Sequence, residues 1–137
     1  MDRKQFQELA KVRLKEAEAL LKLGMSDGAY YLAGYAVECA LKACISKSTR
    51  RYEFPDDKRV RLSYTHDLAQ LLKVAELDDD HEAQTRADPE FDKNWKRVTP
   101  WSEKSRYERV ETESSKMILK AISDREHGVF PWIKQRW

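Results

Sequence analysis

No run of apolar residues in this chain is long enough to cross a bilayer, and no cleavable apolar segment opens it. A cytoplasmic protein is the expectation. Cysteine is scarce: Cys39 and Cys44 fall about 140° apart on one predicted helix, where their side chains cannot meet in a disulfide. They read as small buried apolar residues of a reducing compartment. The three histidines, His66, His81 and His127, stand apart from one another and from the cysteines, without the ligand spacing of a zinc site. No metal and no cofactor is expected. No stretch alternates with period two for long enough to make a strand, and there is no repeat, no low-complexity tract and no glycine-rich phosphate loop. Charge of one sign is also missing. With 26 Lys and Arg against 24 Asp and Glu, attraction to nucleic acid would have to come from local clusters and not from the overall field.

What the chain does have is helical periodicity, over a length of 137 residues that suits a single domain, residues 1–137. Phe6, Leu9, Ala10, Arg13, Ala17, Leu20 and Leu21 recur three and four apart and predict an amphipathic helix from Asp2 to Leu23. Gly24 supplies a left-handed residue to end it, and Ser26 or Asp27 a cap for the next, so the first two helices form an antiparallel hairpin. The second, Asp27 to Lys47, is apolar around almost its whole circumference and needs enclosure by other helices or by a partner chain. It nevertheless keeps Glu38 and Lys42 one turn apart. They read either as a pair at the helix surface or as a structural polar pair, with Glu38 reaching Arg13 or Arg106 to fix the register of the bundle.

A third helix is predicted from Thr65, capped by its hydroxyl, with a stripe of Leu68, Leu71, Leu72 and Ala75. Asp78 to Thr99 reads as a long connection carrying a short helix near Pro89 to Arg97. A long helix then starts near Ser102 and runs to about Glu126, and Gly128 ends it. The apolar tail from Val129 to Trp137 folds back, and Trp95, Trp101, Trp132 and Trp137 are core or interface anchors. The fold class is all-α, a compact antiparallel bundle of about five helices.

The run Asp27 Gly28 Ala29 Tyr30 Tyr31 Leu32 Ala33 Gly34 Tyr35 Ala36 Val37 Glu38 Cys39 Ala40 Leu41 Lys42 Ala43 resembles the second helix of HEPN domains, the higher eukaryote and prokaryote nucleotide-binding family. The preceding Leu9 to Leu21 pattern, Thr65 His66 Asp67 Leu68, and the closing Gly128 Val129 with Trp132 Ile133 Lys134 extend the resemblance over most of the chain outside Asp78 to Thr99. The resemblance implies a HEPN-type bundle that pairs as a homodimer. It also implies an interaction module for nucleotides or RNA, acting with a nucleotidyltransferase partner in a toxin and antitoxin or defence setting.

Some HEPN domains cut RNA without metal through an arginine and a later histidine separated by four to six intervening residues. Arg61 and His66 match that spacing, as does Arg59 with His66. The alternative function is therefore a metal-independent endoribonuclease, with His66 as base and Arg61 stabilising the phosphorane. The pair departs from the family pattern in place, lying at the start of the third helix and not on a late one. Arg50, Arg51, Lys58 and Arg59, interleaved with Tyr52, Phe54 and Tyr64, are the candidate RNA- or nucleotide-binding residues. A second basic cluster, from Lys93 to Arg109, follows the acidic Glu76 to Glu90 and could pair with it across a dimer.

Overall fold

Twelve fully or nearly fully buried residues of one helix organise the molecule. The structure, a computed structural model, describes residues 1–49 and 56–137, and among these it contains eight α-helices and no strand. Helix α1 (Arg3–Lys22) and helix α2 (Ser26–Thr49) form the expected hairpin. Asp2 caps α1 in a reciprocal box with Gln5. Gly24 sits at φ 77°, and the Gly24 and Met25 amides bond back to Leu21 and Leu20, the left-handed termination that turns the chain sharply.

Small residues of both helices are fully buried: Ala10 and Ala17 of α1, and Ala33, Ala36 and Ala40 of α2. Such side chains let two helix backbones approach at the near end of the usual range. The other faces of α2 are covered by α4 (Leu68–Val74), α7 (Thr112–Ser123), α8 (Val129–Lys134) and the 3-10 turn Glu103–Tyr107, while α3 (Asp57–Leu62) packs on α4 and α5 (Asp78–Ala87) on α6 (Pro89–Val98), which in turn packs on α7 and α8. That answers the enclosure its apolar circumference required. Five of the eight helices have ten or more residues; the short ones, α3, α4 and α8, serve as corners. No helix among the described residues is long and apolar enough to cross a membrane.

Three sequence expectations are corrected. Helix α4 starts at Leu68, not Thr65: Asp67 is its cap, accepting from the Gln70 amide at 3.1 Å, while Thr65 only accepts from the Asp67 amide. The connection after Asp78 is a helix, α5, with no buried residue of its own. It is polar all round, so periodicity gave no sign of it. Three aspartates in its first turn complement the helix dipole, and the His81 ring packs edge-on against Phe91, Trp95 and Trp132. Burial there pushes the His81 imidazole below its ordinary range.

The third correction is the largest. The long helix expected from Ser102 is broken into a 3-10 turn, Glu103–Tyr107, an extended stretch at Glu108, and then α7. The cause lies more than eighty residues upstream. Val110 donates its amide to the Asp27 carboxylate at 2.6 Å and accepts at its carbonyl from the Ser26 hydroxyl at 2.7 Å, so its backbone groups are taken by side chains and not by a helical ladder. Ser26 and Asp27 therefore hold this segment down instead of capping α2. Nor does Gly128 end the late helix: α7 stops at Ser123 with Asp124 as its cap, and Gly128 precedes α8 as its N-cap, where a Cβ would press on the Ile122 carbonyl at 2.7 Å and on backbone atoms of Asp124.

His127 joins the two late corners. Its Nδ1 lies 2.7 Å from Asp88, the cap of α6, and Asn94 donates to its carbonyl at 2.9 Å. The bond to Asp88 holds the imidazole above its ordinary 6.5, and the same bond holds the Asp88 carboxyl below its ordinary 3.8. A raised histidine stabilises the fold fully below 6.5 and loses that contribution as pH rises through its raised value. A depressed carboxylate stabilises above 3.8 and fails as pH falls through its depressed one. The clamp is therefore complete from about pH 4 to about pH 6.5, and His81, with its lowered value, works in the opposite direction. Subtracting the denaturation midpoints of His127→Gln from those of the native chain isolates the clamp. The difference is expected to shrink from about pH 6 to about pH 8.5, and a constant difference would remove the ionic part of this account.

Candidate functional site

A glutamate in the most enclosed helix is the one charged side chain of the core among the described residues. Glu38 is 2 % exposed, and a carboxylate so placed needs partners for both oxygens. Lys42, one turn along α2, brings its Nζ to 3.3 Å from Oε2. His66 supplies the other contact, Nδ1 to Oε1 at 2.7 Å. His66 is brought there by the turn between α3 and α4, where the Ser63 hydroxyl bonds back to the Val60 carbonyl and Asp67 starts the next helix. Neither partner foreseen for Glu38 is used: Arg13 pairs with Glu16 and lies over Tyr35, and Arg106 lies over Tyr107.

This arrangement sets the chemistry of the imidazole. An ionised carboxylate only accepts, so Nδ1 carries the proton and Nε2 of the neutral ring is an acceptor. The His66 side chain is 44 % exposed and lines a recess of about 400 Å³ with Thr65, Asp67, Thr99, Trp101 and Glu103. The recess holds two carboxylates and no lysine or arginine. Such a lining repels a phosphodiester.

Arg61 stands elsewhere. It is exposed at the end of α3, outside the recess, and no hydrogen bond joins it to His66. Arg59 turns inward: it bonds to the Ser48 hydroxyl, lies 3.4 Å from Glu76, and its side chain is 14 % exposed. Lys58 is exposed on α3, three residues from Arg61 and on the same face. Arg50 and Arg51 lie outside the described residues, as do Tyr52 and Phe54. Of the basic cluster, Lys58 and Arg61 remain as an open cationic face, and Arg59 ties α3 to α2 and to the α4–α5 junction.

The other reactive groups are inert. Burial, aided by Glu38, pushes the Cys39 thiol up to about 12, and burial pushes Cys44 up to about 11, so neither is a thiolate at neutral pH. Among the described residues no cluster of histidine, cysteine and carboxylate groups could hold a metal ion. Sequence reasoning named Glu38 and His66 separately and missed their contact. The available signal was physical: a carboxylate amid alanines and tyrosines demands a second donor beyond Lys42.

A family model described as HEPN domain matches residues 4–127. Comparison with curated proteins and with solved structures found no match.

Proposed function

The chain belongs to the HEPN domain family, and from that premise we propose that it is a non-catalytic interaction module for nucleotides or RNA. In this reading it is one domain spanning the chain, cytoplasmic, paired as a homodimer and working beside a nucleotidyltransferase in a toxin and antitoxin or defence setting. The observation that carries it is the lining of the His66 recess. Cleavage by the 2′ hydroxyl places a second negative charge on the phosphorane, and the side chains beside His66 are Asp67 and Glu103, with Arg61 absent. Lys58 and Arg61 on α3 then serve as phosphate contacts, and Glu38 with Lys42 and His66 serves as a strut between α2 and the α3–α4 turn.

One observation favours the endoribonuclease reading: Glu38 fixes the Nδ1 proton and leaves Nε2 as a base, the orientation that general-base chemistry needs. An RNA-cleavage assay in chelator separates the two. The native chain is expected to cleave no faster than His66→Ala or Arg61→Ala. Metal-independent cleavage that disappears in both variants would overturn the non-catalytic reading in favour of Arg61 and His66 as catalytic residues.

A further inference from the structure

We propose that the recess between α6 and α7 is an anion site that takes the phosphate groups of a nucleotide or of RNA, an assignment of ligand that rests on the functional reading above. The recess encloses about 200 Å³. Three cationic side chains converge on it from two helices, Lys93 and Arg97 one turn apart on α6 and Lys120 on α7. Like charges four apart on a helix oppose one another, and a third cation from the facing helix adds to the repulsion. Packing alone gives no reason to collect them, whereas a bound anion does.

Two carboxylates, Glu90 and Asp124, share the lining and leave a net excess of one cation, with Asp124 feeling the Lys120 charge. Asp124 spends one oxygen on the amides of Glu126 and His127, at 3.0 and 2.8 Å, shaping the turn after α7. Glu90 meets only Lys93, at 3.5 Å, with both side chains more than 60 % exposed, a contact that solvent weakens. Arg97 and Lys120 make no ion pair and no side-chain hydrogen bond among the described residues. The floor is firm, since Asn94 on α6 grips the His127 carbonyl at 2.9 Å. The recess thus combines a fixed wall with three cations on flexible stems, the combination by which proteins hold phosphates as point charges.

The test is an NMR titration of the full chain, isotopically labelled, with inorganic pyrophosphate, with ATP and with a short single-stranded oligoribonucleotide. The Asn94 side-chain amide and the backbone amides of Arg97, Lys120 and His127 are expected to shift with pyrophosphate and with at least one of the other two. The double variant Arg97→Glu, Lys120→Glu is expected to raise the Kd at least about tenfold, while the charge-matched Lys4→Glu, Lys15→Glu on α1 changes it less than about twofold. All four positions are exposed, and the native titration stands without the variants. Equal weakening by both double variants, or no shift with pyrophosphate, overturns the site. Oligoribonucleotide binding with a silent recess overturns the site and leaves the functional reading standing; pyrophosphate in the recess without ATP or RNA binding does the reverse.

Discussion

Glu38→Ala is expected to destabilise the protein by about 3 kcal/mol, seen as a fall in melting temperature of about 10 °C. Glu38 is 2 % exposed and is contacted by a lysine on one oxygen and a histidine on the other. Removing the carboxylate leaves the Lys42 ammonium, 16 % exposed, without its counter-charge and opens space among the core side chains around α2. The figure sits at the lower end of the range for breaking a buried pair, because His66 is 44 % exposed and water can replace its bond. Glu38→Gln should fall between the two, since the amide keeps the shape and accepts from His66 but does not neutralise Lys42. Thermal denaturation of both variants decides it. An alanine variant within about 0.5 kcal/mol of the native chain would show that the contacts add nothing.

The second large effect is at Gly34. Alanine is favoured over glycine inside a helix by about 1 kcal/mol, so propensity alone predicts that Gly34→Ala stabilises α2. Packing predicts the opposite. A Cβ at position 34 would fall on three atoms of the Trp101 indole, far inside contact distance, and the indole has nowhere to go. It is 2 % exposed and stacks on Tyr31 with ring centroids 6.1 Å apart. Overpacking of this kind costs about 1–3 kcal/mol, and with backbone on one side and an aromatic ring on the other the upper end is expected. Urea denaturation of Gly34→Ala, Trp101→Leu and the double variant gives a direct reading. Trp101→Leu relieves the clash, so the double variant should be more stable than the sum of the singles by at least about 1 kcal/mol. Additive singles would mean that the two residues do not meet.

Both sites illustrate how far the amino-acid order alone carried. The hairpin, its left-handed glycine and the enclosure of α2 followed from local spacing, because neighbours in sequence are what create those features. Helix α6 was legible for the same reason, with Asp88 and Pro89 starting it and Phe91, Trp95 and Val98 on its buried face. What escaped was decided at long range. His66 meets Glu38 across 28 positions, and Val110 meets Asp27 across 83; no periodicity encodes such contacts. Helix α5 escaped for a different reason, having no apolar stripe to read. In the candidate site the residue types were recognised, whereas the pairing of His66 with Glu38 and the separation of Arg61 from both needed the fold.

Asp27, Gly34 and Glu38 are spaced by seven and four residues, which places them within about 40° of one another on the surface of α2. Each receives a piece of chain that is not part of a long helix: Val110 on Asp27, Trp101 on Gly34, His66 on Glu38. Helix α2, with little amphipathic pattern, thus has a second kind of order, a line of sockets whose polarity and size match their occupants in turn. A carboxylate takes an amide, a missing side chain takes an indole, and a second carboxylate takes an imidazole. Changes along that line are felt by segments up to 83 residues away.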